Sequence, residues 1–257
     1  MDKTFEKVEL LYHYTSIDAL CGGLVTHNGI LFRLSHYAFL NDKLEFNLGK
    51  EFFSKYLNRK CLSCIRNIED EPQYILSLSR EADFLPMWSM YGRNGNGVML
   101  SLSTEDFFNV SGATVADCMY CNSNLDFDKS EDEKYVKQNI DICNSIIKKE
   151  CFKQEALNHI RRKLMDLVPL IKSNYFAYER EVRLAVVANN PQSVKYRYSG
   201  ALIIPYITIL LPKSSLHKIM IGPTLDMTRI KYSLRMFLND MGYENVKIET
   251  SNAPYRG

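Results

Sequence analysis

The chain concentrates side chains capable of chemistry in Tyr178-Glu179-Arg180-Glu181-Val182-Arg183-Leu184, which runs on into the apolar Ala185-Val186-Val187-Ala188. The apolar half reads as a buried strand, short and β-branched. Strand side chains alternate in direction, so Glu179, Glu181 and Arg183 are expected on one face. Two carboxylates and a guanidinium entering a buried strand are costly to desolvate unless they pair. Two readings follow. Arg183 satisfies a glutamate at a sheet edge, or the strand opens on a cleft where one carboxylate does chemistry and the other supports it.

Other candidates lie at element ends. His13-Tyr14-Thr15-Ser16 falls where a strand passes into a helix. A histidine and a hydroxyl there can hold a sugar hydroxyl or a carboxamide, or serve as a cap beside a half-buried ring. Trp88 and Tyr91 stand one helical turn apart and can stack on a base, or fill core. Ser77 and Ser79 alternate with apolar residues in Ile75-Leu76-Ser77-Leu78-Ser79, and Asn41 closes a loop rich in hydrogen-bonding groups. Asp42 and Glu45 could join Glu179 and Glu181 around a divalent metal. Cys61-x-x-Cys64 and Cys118-x-x-Cys121 offer four thiols. Their wide separation, and a strand period that turns Cys118 and Cys121 to opposite faces, argue against zinc. The chain carries no phosphate loop, H-E-x-x-H or G-x-G-x-x-G.

The elements that must position these groups alternate in type. Strands are expected at about 8–14, 30–34, 75–79, 98–102, 113–120, 182–188, 196–198 with 201–207, 216–221 and 246–250. Helices are expected at about 44–56, 84–91 and 228–241, with two or three more between 132 and 173. Residues 122–133 read as an exposed acidic loop. Strands at both ends around a helical excursion predict one α+β domain over 1–257, with mixed and antiparallel sheets. A hydrophobic content of 46% supports a sizeable core, and a net charge of +2 leaves any nucleic-acid surface to a local patch. Lys148-Lys149 and Arg161-Arg162-Lys163 supply such a patch, or a solvated helix face. No apolar run spans a bilayer and no apolar signal region follows Met1, so a cytoplasmic protein without a membrane partner is expected. Seven cysteines in such a chain argue against a disulfide framework.

Five stretches in order resemble a bacterial family designated only as a domain of unknown function, summarised by HYTS, FND-P-E, MWxxY and ExExR. They are Tyr12-His13-Tyr14-Thr15-Ser16, Phe39-Leu40-Asn41-Asp42 with Glu45, Ser77-Leu78-Ser79, Met87-Trp88-Ser89-Met90-Tyr91-Gly92, and Glu179-Arg180-Glu181-Val182-Arg183. Lys43 stands where that family usually carries proline. The family is in turn similar to the ADP-ribosyltransferase superfamily, which includes anti-phage toxins of toxin–antitoxin systems that modify RNA.

The resemblance implies a split β core with a helical insertion near 132–173. It implies NAD as substrate, no metal, an RNA or protein acceptor, and an antitoxin partner. On that basis Glu181 stabilises the positive charge that develops on the ribose and holds its 2′-hydroxyl, and Glu179 orients or deprotonates the acceptor. His13, Tyr14, Thr15, Asn41 and Ser77 or Ser79 hold the cofactor, with Trp88 or Tyr91 stacking. Arg183 meets a phosphate or pairs with Glu181. Two other classes fit the same residues: a nucleotide-binding sensor or interaction module without catalysis, and a metal-dependent nuclease.

Overall fold

A computed structural model describes residues 9–40, 47–58, 72–150, 153–188, 190–224 and 226–254. Strand β1 (Leu10–Thr15) ends where the Ser16 hydroxyl accepts a hydrogen bond from the Ala19 N–H at 3.0 Å, capping a short helical turn. Strands β2 (Val25–Thr26) and β3 (Gly29–His36) form a hairpin, and helix α1 (Asn47–Tyr56) follows. Strand β4 (Gln73–Ser79) leads to helix α2 (Leu85–Met90), whose first turn holds Pro86. Strand β5 (Val98–Ser103) runs directly into helix α3 (Thr104–Phe108).

The expected single strand at 113–120 is two, β6 (Ala113–Asp117) and β7 (Met119–Cys121), which enter different sheets on either side of Cys118. The acidic stretch expected as a loop to 133 already starts helix α4 (Ser130–Glu150), with Glu131, Asp132 and Glu133 in a first turn that favours negative charge. Helix α5 (Gln154–Leu167) follows.

Two corrections here shape the site. The helical run expected between 132 and 173, with Pro169 bending or ending its last helix, closes in a 3₁₀ turn (Val168–Leu170) that holds Pro169, and residues Ile171–Ser173 form an unexpected short strand, β8, parallel to β7. Glu179 does not share a strand with Glu181. It closes a 3₁₀ turn (Asn174–Glu179), and Arg180 in the left-handed region (φ 41°) redirects the chain into β9 (Glu181–Val187). Strands β10 (Lys195–Ser199), β11 (Leu202–Leu211) and β12 (Leu216–Ile221), helix α6 (Met227–Asp240) and strand β13 (Lys247–Thr250) complete the chain.

The architecture is α+β and mostly antiparallel, as the sequence predicts. The main sheet has the order β10-β11-β3-β4-β1-β5-β12-β13, with β9 on β4 and β6 on β9. One edge of β4 pairs with β9 from Gln73↔Val187 to Ser79↔Glu181. Its other edge meets β3 at Tyr74 and Ile75, and β1 only at Ser79. Between these contacts β3 and β1 diverge, so the sheet divides at Leu76–Leu78.

One core, built on Leu11, Phe32, Leu76, Leu100 and Leu184, fills the side of the sheet covered by α3 and α6. A second, built on Phe53, Ile140, Ile160, Leu164 and Ile171, binds α1, α4 and α5 to β7 and β8. It anchors Leu170 and Ile171, which lead into Lys172 beside the division. Among the described residues no helix is long and apolar enough to cross a membrane.

Candidate functional site

The division of the sheet opens into a cleft of about 580 Å³. Its floor is the edge of β4 that no described strand covers. An unpaired carbonyl on that edge would be costly, and His13 meets the need of Ser77. The His13 Nδ1–H donates to the Ser77 carbonyl at 3.3 Å, while the ring lies edge-on to Phe32 at 5.2 Å between centroids. A carbonyl can only accept, so in the neutral ring Nε2 is the acceptor nitrogen. Burial pushes the imidazole pKa down to about 4, against the weaker pull of the Ser77 carbonyl. His13 is therefore neutral at pH 7, and it contributes hydrogen bonds to the cleft rather than a positive charge.

Cross-strand register places polar groups on one face. Tyr12 of β1 opposes Ser79 of β4, and Ser79 opposes Glu181 of β9, which forms a row across three adjacent strands. Ser77 lies two residues from Ser79 on the same face and is exposed to the cleft. Gly97 abuts the end of β1. A Cβ there would sit 2.3 Å from the Thr15 carbonyl oxygen, so only glycine lets the Gly92–Gly97 turn close over that end.

The inner wall is a buried ionic cluster. The Lys172 ammonium donates to Glu179 Oε2 and to Glu181 Oε2, both at 2.7 Å. Arg183 closes on Glu181 in a bidentate pair, Nε to Oε1 at 2.9 Å and Nη2 to Oε2 at 3.1 Å. Its Nη1 donates to the Pro169 carbonyl at 2.5 Å. The Tyr91 hydroxyl donates to Glu179 Oε1 at 2.7 Å, and the Glu181 N–H donates to the Tyr120 hydroxyl at 2.8 Å.

Lys172, Glu179, Glu181 and Arg183 are each at most 4% exposed, and their charges cancel. Burial opposes the charge on Lys172, but Glu181 and Glu179 together outweigh it and hold the amine protonated. Burial raises the Glu181 pKa, against the opposing pull of Lys172 and the Ser77 hydroxyl. Two hydrogen-bonded cations favour its carboxylate form against that burial. Burial, with Glu181 nearby, raises the Cys118 thiol well above the ordinary range, which disfavours the reactive thiolate.

His13, Tyr14, Thr15, Ser77, Ser79, Tyr91, Glu179 and Glu181 all line the cleft; Trp88 and Arg183 do not. Trp88 is fully buried. Its Nε1–H donates to Asp83 Oδ1 at 2.8 Å, and its ring meets Tyr14 edge-on at 5.0 Å. Asp83 also accepts from Ser251 Oγ at 2.5 Å and from the Asn252 N–H at 3.0 Å. Trp88 thus ties α2 to the C-terminal segment and offers no face for stacking. Arg183 is fully buried behind Glu181, which corrects the phosphate-binding reading in favour of pairing. The Tyr14 hydroxyl is likewise committed, donating to the Glu81 carbonyl at 2.9 Å and accepting from the Phe84 N–H at 3.1 Å.

Asn41, Asp42, Lys43, Glu45, Cys61 and Cys64 lie outside the described residues. Cys118 and Cys121 are both buried, the latter in the core beneath α4 and α5. The basic residues of α4 and α5 do not line the cleft. Sequence reasoning missed Lys172, Arg33 and Arg197, all of which line it. A lysine just past Pro169, amid Leu170 and Ile171, was the available signal for the first.

Residues 87–184 match the model of a family described as a protein of unknown function, DUF2971. The matched span is shorter than half the chain. It carries Trp88, Tyr91, Lys172, Glu179, Glu181 and Arg183 and leaves out the β1 and β4 residues of the cleft. No curated protein matches the chain.

Proposed function

We propose that the cleft binds NAD and catalyses ADP-ribosyl transfer to an RNA or protein acceptor, as a toxin-like effector in bacterial anti-phage defence, held in check by an antitoxin. The observation that carries this reading is the convergence of His13, the Tyr12–Ser79–Glu181 row and Glu179 on one cleft where the sheet divides.

In the reaction the ribose C1′–nicotinamide nitrogen bond breaks and nicotinamide leaves with the bonding pair. The acceptor nucleophile then bonds to C1′ and gives up its proton. Positive charge develops on the ribose as the bond lengthens, much as in glycoside cleavage. Glu181 supplies the opposing charge, and Arg183 and Lys172 hold it rigid, so little reorganisation is needed at the moment of reaction. Glu179 orients the acceptor and takes its proton. His13, neutral, and the Ser77 hydroxyl hold the ribose or carboxamide. Tyr91, at the mouth of the cluster, is the aromatic group that faces the ligand.

One observation favours a second reading. Both Glu181 oxygens already have cationic partners, which suits a nucleotide-binding sensor that does no chemistry. A metal-dependent nuclease fits less well, because the Lys172 ammonium stands between Glu179 and Glu181 where a divalent ion would bridge them. The test is incubation with NAD and, separately, with nucleic acid, each in chelator and in magnesium. Nicotinamide release supports transfer, NAD binding without release supports the sensor, and nucleic-acid cleavage that appears only with magnesium supports the nuclease.

A further inference from the structure

The charges of the inner wall cancel, but those of the opposite wall do not. Arg33 of β3 and Arg197 of β10 line the cleft across from the carboxylates. Register puts them on one face of the sheet: Arg197 opposes Ile204, Tyr206 opposes Ser35, and Ser35 opposes Ile75, two residues from Ser77. Arg33 is exposed. Its Nη2 donates to the Gly22 carbonyl at 3.2 Å and its guanidinium lies 5.6 Å from the Tyr206 ring centre. Arg197 is half-buried and donates through Nη2 to the Ser35 hydroxyl at 3.1 Å.

Neither arginine has a carboxylate partner among the described residues, whereas Arg80, Arg93, Arg180 and Arg183 all do. Each guanidinium has five N–H donors and spends one here. Two unneutralised, multidentate cations flanking Ser35 at one end of a cleft match a ligand carrying two adjacent negative charges.

We propose that Arg33, Arg197 and the Ser35 hydroxyl form a diphosphate-binding subsite at the end of the cleft opposite Glu181. Only the identity of the molecule carrying the diphosphate, a dinucleotide, rests on the reading above. The subsite fixes the polarity of the ligand, with its diphosphate toward β3 and β10 and its reacting ribose toward β9.

The test measures binding of ADP and NAD to the wild-type chain and to Arg33→Gln, Arg197→Gln and the double variant, after thermal melting has confirmed each fold. Each single substitution should weaken ADP about tenfold, and the pair about a hundredfold, the range for losing charge-assisted bonds. Added salt should weaken ADP binding to the wild type more than to the double variant. If Arg33→Gln fails to fold, Arg197→Gln alone carries the test. A double variant that binds ADP like the wild type would overturn the subsite. Weakened ADP binding with no NAD binding or turnover would keep the subsite and remove the dinucleotide. NAD turnover with an unchanged KM in the double variant would do the reverse.

Discussion

The two walls of the cleft carry charge in opposite ways. On the inner wall Lys172, Glu179, Glu181 and Arg183 are nearly inaccessible and every charge is matched. On the outer wall Arg33 and Arg197 hold a hydroxyl and a carbonyl and keep most donors spare. Burial explains the difference. A charge taken out of water must be neutralised within the protein, so the inner groups depend on one another. A charge beside open solvent can wait for a ligand. The inner wall is therefore a fixed electrostatic scaffold, and the outer wall is available for recognition.

Substitution should separate the walls sharply. Lys172→Met leaves Glu181 paired with Arg183 but Glu179 buried with only the Tyr91 hydroxyl, and it should cost about 3–5 kcal/mol in unfolding free energy. Arg197→Gln should stay within about 0.5 kcal/mol, as surface changes usually do. Urea denaturation of both variants on one preparation checks this, and equal losses would erase the distinction.

The floor between the walls gives a pH signature. His13 has its pKa lowered from 6.5 to about 4, so its contribution to stability is present above pH 6.5 and lost as pH falls through about 4. At about 1.4 kcal/mol per pKa unit, the loss over that window is at most about 3 kcal/mol. His13→Gln should flatten that limb in a series of denaturation midpoints from pH 7 to 4. An unchanged limb would mean that the ring is charged or solvated in the folded state.

The smallest effect is expected at the mouth of the inner wall. Tyr91→Phe removes one hydrogen bond to Glu179, whose carboxylate keeps Lys172, and should cost about 1 kcal/mol. A loss as large as that of Lys172→Met would make Tyr91 part of the scaffold rather than its rim.

The sequence made the scaffold's strands legible and hid the links between them. Alternation in Ile75-Leu76-Ser77-Leu78-Ser79 and the β-branched run after Arg183 identified β4 and β9, and the Glu181–Arg183 spacing identified their shared face. Strand β8 was invisible, because three residues are too short to express a period and the helices before it set the pattern. Arg180 adopts a left-handed conformation without the glycine that would announce it. Glu179 and Glu181 thus meet as the sequence suggested, but through Lys172 and a turn rather than along one strand. Trp88 was undecidable, since an aromatic residue one turn from Tyr91 serves a core or a ligand equally well, and its full burial away from the cleft, with Nε1–H held by Asp83, settles it as core. The division of the sheet depends on which strands leave β4, a long-range property that no local pattern encodes.

Nicotinamide release from NAD by Glu181→Gln, expressed per folded molecule alongside the wild type, tests the catalytic role of Glu181 most directly. Glutamine leaves Lys172 and Arg183 with excess charge, so the thermal midpoint should fall. In addition, activity per folded molecule should drop by roughly two to four orders of magnitude while NAD affinity changes little, as expected for a group acting mainly in the transition state. Near-normal release per folded molecule, with only the lowered midpoint, would contradict it and leave Glu181 as the structural partner of Arg183 and Lys172.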